Sequence, residues 1–417
     1  MEAAAIPSGA DAMQLRYLFV DMNSYFASVE QELRPELLGR PVGVVPMLAD
    51  TTCCLAASYE AKRFGVRTGT GVADAKRLCP GIVLVPARPE KYIELHHEII
   101  AAVESCLPVT AVLSVDEMVC RLRGPDQEED TAVDLAHQIK RAIREQVGDS
   151  LRCSVGIAPN RMLAKLAGDV QKPDGLTVIH PADLPDRLYS LKLRDFPGIG
   201  PRMERRFHAA GLRTVEQLCD LTAAGMNRLW GSTVVGTAWF RLLRGEDVPA
   251  PPTHRRTLGH SHVLPPDCRH EAGARAVLMR LVHKAAARLR QTGYWARRVD
   301  VGVTYLGGDH WSASAKVPLC QDTLTLLQTA GGLWSRRPYG KPLKVSVTFG
   351  DVVAWHNSSP SLLEDDRQRL ALSAAMDQLN TRFGIHTVYF GAMHGQQTDR
   401  GAHIAFHTVP DLQLIDP

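Results

Sequence analysis

The chain has 417 residues, 45% hydrophobic and 22% charged, with 26 prolines, 33 glycines and a net charge of +3. That length exceeds one ordinary core and calls for about two to four domains of a soluble globular protein. No apolar run reaches the roughly 20 residues of a membrane span, and the start MEAAAIPSGADAMQ lacks a signal peptide's basic-then-apolar pattern. Nine cysteines without a CxxC pair argue against zinc and against a disulfide framework, so a reducing cytoplasm is expected.

In chain order, residues 17–20 (YLFV) read as a buried strand ending at Asp21, and Met22 to Leu33 as a helix with Phe26, Val29 and Leu33 on one face. An acid closing a strand ahead of a helix is either a ligand position or a helix cap. Pro41 to Met47 reads as a strand. Residues 56–67 (AASYEAKRFGVR) read as a helix that brings Tyr59, Lys62 and Arg63 together. An aromatic hydroxyl beside cations suits a phosphate; a plain surface helix is the alternative. A helix over 73–78, a strand over 82–85 and a helix over 91–106 follow.

Residues 111–122 (AVLSVDEMVCRL) place two adjacent acids, Asp116 and Glu117, inside a strand-like apolar run. Carboxylates sitting mid-strand repel and lose water, so they call for a compensating cation such as Mg²⁺, which takes oxygen ligands. The competing reading is an exposed hairpin tip. After a helix near 132–145 and a strand at 151–157, Asn160 is positioned to cap a helix bearing Met162, Leu163 and Leu166. Lys165 and Lys172 lie on this helix and just past it, and Lys172-Pro173-Asp174-Gly175 forms a turn. A lysine held by a rigid turn is a suitable point charge for a triphosphate, though either lysine also reads as a surface residue.

Four segments in this order, VDMNSYFASVE (20–30), ASYEAKRFGVRTG (57–69), LSVDE (113–117) and SVGIAPNRMLAKLAGDVQKPDG (154–175), closely resemble the Y-family DNA polymerases, nearest the DinB branch. The resemblance extends over roughly residues 17–350. Residues 196–218 add two helices joined by Pro197-Gly198-Ile199-Gly200, similar to a helix–hairpin–helix. Its glycines let backbone N–H groups approach a DNA phosphate. The proline-dense stretch 245–253 (GEDVPAPPT) reads as a linker. Beyond it, a helix over 271–291, strands over 297–305, 311–317 and 343–348, and a helix over 321–334 suit a small α/β module. Residues 255–298 hold ten Lys/Arg against two acids, a local excess of +8 that suggests a polyanion partner or a solvated helix face. A helix over 365–383 precedes a stretch, 385–417, to which no chemistry is assigned.

The resemblance implies a multidomain α/β (α+β) right-hand polymerase. Its palm would be 1–28 and 88–185, its fingers 29–87, and its helix–hairpin–helix thumb 186–250. A DNA-binding little finger would span 254–352, followed by a C-terminal extension, 353–417. It implies template-directed addition of dNTPs to a primer 3′-hydroxyl by two-metal phosphoryl transfer, as low-fidelity translesion synthesis in DNA repair and damage tolerance. Asp21, Asp116, Glu117 and the Met22 carbonyl would bind two Mg²⁺ ions. Tyr59, Lys62, Arg63 and Lys172 would hold the triphosphate, and Phe26 would stand against the sugar's 2′ position. Gly198, Gly200, Arg288, Arg297 and Arg298 would contact primer–template DNA. Lys62 stands where the family often has Arg, Asn23 where an acid is frequent, and Thr70-Gly71 where bulkier residues are common. A monomer in the nucleoid region of the cytoplasm, docking on the bacterial sliding clamp, is the family expectation. Ser359 to Leu363 and Gln413 to Ile415 are weak candidates for the clamp peptide. A non-catalytic Y-family scaffold in a mutagenesis complex is the alternative, which retention of all three acids disfavours.

Overall fold

Residues 14–249, 254–358, 364–384 and 387–394 are described by the structure, a computed structural model. They divide into two units, 14–249 and 254–394. In the first, β1 (Tyr17–Met22) is almost wholly buried and leads through Ser24, at a left-handed φ of 51°, into α1 (Tyr25–Leu33). A small sheet follows, built from β2 (Val42–Val45), β3 (Ala56–Ala57) and, after α2 (Tyr59–Arg63) and α3 (Val72–Leu78), β4 (Val83–Pro86). Its order is β3-β2-β4, over a satellite core that includes Val45, Ala61, Val66 and Val72.

The helix expected over 56–67 is shorter than its propensity suggests. Ala56 and Ala57, good helix formers, are claimed by pairing with Val44 and Gly43. Ser58 then opens α2 by accepting a hydrogen bond from the Ala61 N–H.

The larger sheet is completed after α4 (Pro89–Glu104) by β5 (Val109–Val112) and β6 (Glu117–Arg121). Then come α5 (Glu129–Gln146), β7 (Cys153–Ala158), α6 (Arg161–Val170) and β8 (Leu176–Val178). Strand order is β5-β6-β1-β7-β8, with β1 antiparallel to both neighbours. The period of two along β1 divides its side chains between two cores. Leu18, Val20 and Met22 join Ile99 of α4 and Ile139 of α5, whereas Phe19 joins Leu163 and Leu166 of α6. Asp21 therefore falls on the α6 face.

The mid-strand placement of Asp116 and Glu117 is corrected here. β5 ends at Val112 and β6 begins at Glu117, so the chain turns between them. The N–H groups of Leu113 and Ser114 both donate to the Glu117 carbonyl, at 2.9 and 3.2 Å, closing the hairpin without Gly or Pro.

After a short 3-10 turn at Leu193–Asp195 the unit ends in α7 (Pro201–Ala209), α8 (Val215–Cys219), α9 (Ala223–Trp230) and α10 (Thr233–Leu242). Thr214, Thr222 and Ser232 cap the last three, each side chain accepting from a backbone N–H three residues on.

The second unit contains β9 (Thr257–Val263), α11 (Glu271–Gln291), β10 (Tyr294–Tyr305), β11 (His310–Cys320), α12 (Thr323–Trp334), β12 (Pro342–Gly350), β13 (Val353–Ala354) and α13 (Glu364–Phe383). Its main sheet runs β11-β10-β12-β9, antiparallel throughout. Val299, Val301, Val303, Val345, Val347 and Phe349 face α11 and α12 in one core. β9 was not expected, because TLGHSHV is polar and lacks a strand's alternating apolar residues. The segments 359–363 and 413–415, and residues 250–253 of the stretch 245–253, lie outside the described residues. Among the described residues no helix is long and apolar enough to cross a membrane.

The seating of α6 on β7 depends on Gly156. A Cβ there would drive into the Ala164 carbonyl and the Gly168 nitrogen. Gly156→Ala is expected to destabilise the first unit by about 3 kcal/mol, the upper range for overpacking, in a urea denaturation series; wild-type stability would contradict this packing.

Candidate active site

Antiparallel pairing of β1 with β6 sets Asp21 directly opposite Glu117. The Met22 N–H donates to the Asp116 carbonyl at 2.9 Å, fastening the acidic turn to the end of β1. Ser114 Oγ donates to Asp116 Oδ1 at 2.5 Å, and buried His96 meets the Val115 carbonyl through Nδ1 at 2.8 Å. Three carboxylates are thus brought to one end of the sheet by strand register and a braced turn.

Two lysines answer them. Lys172 Nζ lies 2.8 Å from Asp21 Oδ2 and 2.7 Å from Asp169 Oδ1, and Lys165 Nζ lies 2.6 Å from Glu117 Oε1. Asp21 is 7% exposed, and burial pushes its carboxyl up to about 6 against the pull of Lys172. Burial works to lower the Lys172 ammonium, but the Asp21 and Asp169 carboxylates outweigh it and hold the group above its ordinary value. With Glu117 engaged by Lys165, no three His, Cys, Asp or Glu side chains among the described residues converge as a metal-binding group.

Tyr59 and Lys62 sit on the short α2, with Lys62 Nζ 4.3 Å from the Tyr59 ring centre and 2.7 Å from Ser24 Oγ. Burial, and then the charge of Lys172, depress the Lys62 ammonium, so these cations feel one another across the same space. Burial likewise raises the Tyr59 phenol, with the Lys172 charge opposing it. Arg63 is exposed and makes none of these contacts. Phe26 is 3% exposed and stacks on Tyr92, ring centres 4.5 Å apart and planes 14° apart. Tyr92 is held in turn by its hydroxyl on Glu30 at 2.7 Å, and Glu30 accepts two hydrogen bonds from Arg88. The Phe26 ring is therefore held from one side by a braced aromatic stack.

The structure gathers Asp21, Asp116, Glu117, Tyr59, Lys62 and Lys172, and sequence reasoning passed over the groups that brace them. Ser24, Ser114, Asp169 and His96 are such groups. The first three lie inside the four segments already singled out, so proximity to them was the available signal. His96, nineteen residues before the carbonyl it meets, gave none.

The hairpin glycines differ from each other. Gly198 takes φ +96°, where a side chain is strained, while Gly200 is the extended N-cap of α7. Buried Phe196 and Ile199 anchor this turn. In the second unit Arg288 is half-buried on α11, Arg297 is exposed on β10, and Arg298 is clasped by Asp300 at 3.1 Å and Asp351 at 3.0 Å. Arg280 is buried and Arg290 forms a two-pronged pair with Asp377. Part of the +8 excess is therefore neutralised inside the unit. Arg298, Asp300, Ser312, Ser314, Lys316, Lys344, Ser346 and Thr348 share the sheet face away from α11.

Comparison with known proteins gives three family matches in order along the chain. Residues 20–169 match the impB/mucB/samB family, 181–212 the IMS family HHH motif, and 255–362 the impB/mucB/samB family C-terminal domain. A DNA polymerase IV of Moorella thermoacetica is 34% identical over 382 residues, 89% of this chain and 94% of the relative. A DNA polymerase IV of Pelotomaculum thermopropionicum is 30% identical, covering 90% and 94%. Among solved structures, a Y-family DNA polymerase chimera, Dbh-Dpo4(243-245)-Dbh, superposes with a TM-score of 0.67 at 23% identity, covering 81% of this chain and 99% of the other. DinB from Sulfolobus solfataricus superposes with a TM-score of 0.50 over the same shares. With family matches in three successive segments and a relative of 34% identity spanning nearly all of both chains, the chain belongs to the impB/mucB/samB family, the Y-family DNA polymerases of DNA polymerase IV type.

Proposed function

We propose that this chain extends a DNA primer by template-directed addition of dNTPs, and that Asp21, Asp116 and Glu117 carry the reaction. The observation that supports this most is the register that sets Asp21 against Glu117, with Asp116 tied to Met22 beside them. The donors are hard carboxylate oxygens of the kind Mg²⁺ takes, and strand register brings them to one end of the sheet, held by lysines rather than converged on one point, so their chemistry fits Mg²⁺. Asp21, Asp116, Glu117 and the Met22 carbonyl would hold two such ions. When bound, Mg²⁺ supplies neutralisation of the β and γ phosphates and lowers the pKa of a coordinated 3′-hydroxyl.

The protein's own groups orient and select. Lys172 and Lys62 are already close enough to sense each other's charge, and a triphosphate between them would relieve that repulsion. Tyr59 adds a hydroxyl donor beside them. Lys62 offers a point charge rather than a guanidinium fork, and exposed Arg63 supplies a second cation for the outer phosphates. Phe26, backed by Tyr92, is a rigid wall for C2′ of the incoming sugar.

We assign the large sheet with 1–28 and 88–185 as palm, the small sheet with 29–87 as fingers, and 186–250 as thumb. Residues 254–352 form the little finger, and 353–417 a C-terminal extension. Backbone at Gly198 and Gly200 meets a duplex phosphate, and Arg288 and Arg297 add phosphate contacts. Arg298, already held by two carboxylates, adds a DNA contact from the open face of the sheet. Action as a monomer at the nucleoid, on damaged templates and recruited by a sliding clamp, belongs to this reading through family membership.

Asp116→Asn is expected to cut single-turnover nucleotide addition by at least about a thousandfold, comparable to losing a principal electrostatic group. Duplex affinity should change less than about threefold, since it rests on phosphate contacts elsewhere. Primer extension near the wild-type rate would defeat the assignment.

For Phe26→Ala, the account expects rNTP use relative to dNTP to rise by at least about tenfold, in kcat/KM ratios, because the wall at C2′ is gone. Its burial against Tyr92 adds a stability loss on the order of 3 kcal/mol. Lower stability with unchanged sugar selectivity would leave Phe26 as packing alone.

Arg288→Ala with Arg297→Ala should reduce the slope of log K against log salt for primer–template binding by up to about one unit each. An unchanged slope in a folded variant would move the phosphate contacts to other residues.

A further inference from the structure

Asn23 lies one residue beyond the strand that carries Asp21 and Met22, yet its side chain serves neither the acids nor a helix cap. It is 2% exposed, and both ends of its amide are engaged. Oδ1 accepts from the Asp174 backbone N–H at 2.7 Å, and Nδ2 donates to Ser154 Oγ at 3.0 Å. The orientation of the amide is fixed by the Asp174 N–H, which requires an acceptor. Ser154 Oγ in turn donates to the Gln171 carbonyl at 3.2 Å.

Gln171 and Asp174 flank Lys172-Pro173. One amide therefore grips both sides of the segment that presents the Lys172 ammonium to Asp21, directly on one side and through a single hydroxyl on the other. The far side of the turn is held as well. Lys140 Nζ of α5 donates to the Asp174 and Gly175 carbonyls, at 2.5 and 3.1 Å, and pairs with the Asp174 carboxylate at 2.9 Å. Asp174 takes a left-handed φ of 57°, a conformation that Asp tolerates better than most residues. Gly175 is pressed against the Gln171 backbone so closely that no side chain fits.

A lysine four methylenes long has no fixed position of its own. Its reach toward Asp21, and toward a nucleotide bound there, is set by where its backbone is anchored. We infer that Asn23 is a positioning residue for nucleotide binding, acting through the Gln171–Asp174 turn to hold Lys172 over Asp21. This rests on the proposal that Lys172 grips the triphosphate.

The same hydrogen bonds would also serve a purely structural role, so the test must show that the effect passes through Lys172. Apparent dNTP affinity and the rate at saturating dNTP are measured in single-turnover primer extension for wild type, Asn23→Ala, Lys172→Ala and the double variant. Asn23→Ala is expected to weaken dNTP affinity by about tenfold, the scale of losing two buried hydrogen bonds. In the Lys172→Ala background the same change should matter less than about twofold, because the group it positions is gone. Asn23→Asp keeps an acceptor for the Asp174 N–H and should stay within about threefold of wild type. If Asn23→Ala does not fold, Ser154→Ala removes the Gln171 arm, together with the 3.4 Å contact of the same hydroxyl with the Gly175 N–H, and must show the same dependence on Lys172.

Equal losses in both backgrounds, or unchanged dNTP affinity in Asn23→Ala, would overturn the inference while leaving the Lys172 assignment standing. Unchanged affinity in Lys172→Ala would overturn the Lys172 assignment and the inference with it.

Discussion

Three carboxylates at one end of a sheet are an electrostatic liability, and much of the first unit is arranged around containing it. Asp21 and Glu117 face each other across paired strands, and Asp116 is tied to the same strand end. In water such charges would spread apart; here register forbids it. The nearby cations come from one continuous segment, Lys165 on α6 and Lys172 in the turn beyond it. The protein thus keeps a reserve of positive charge on its acids that a metal ion would displace.

That arrangement explains why the β1–α6 contact matters beyond packing. α6 seats on the sheet over Phe19, and Lys165 lies 5.7 Å from that ring. The absence of a side chain at Gly156 allows the helix to approach closely enough for this. The turn after α6 returns as β8, parallel to β7, which fixes where Lys172 begins. Sheet register, helix seating and turn anchoring are three constraints on the same few ångströms between Asp21 and its cation.

Much of this was legible in the sequence, and the parts that were not share a cause. Long segments rich in helix formers, such as 271–291, were found with correct bounds, because propensity is a local property. The acidic run at 111–122 named residues that the fold does bring beside Asp21, but with the wrong local structure. A hairpin closed by two N–H groups on one carbonyl needs no Gly or Pro, so it leaves no turn signal. β9 was missed because strand identity there comes from its neighbour β12 rather than from its own residues. In the site, residue types announced the acids and lysines. Their partners were hidden, since Asn23 and Asp174 are 151 positions apart, and His96 meets a carbonyl on another element. The basic segment 255–298 shows the limit of charge counting: Arg290 and Arg298 are cations in composition but are already paired in the fold.

The central claim is that Asp21, Asp116 and Glu117 form one divalent-cation site that lysines hold in its absence. Single-turnover primer extension as a function of Mg²⁺ concentration, for wild type and Glu117→Gln, tests it most directly. The account predicts no extension without a divalent cation, and a Mg²⁺ requirement raised by at least about tenfold in the variant, as expected for loss of a charged ligand. Extension by the wild type in the presence of a chelator, or an identical Mg²⁺ dependence in the two proteins, would contradict it.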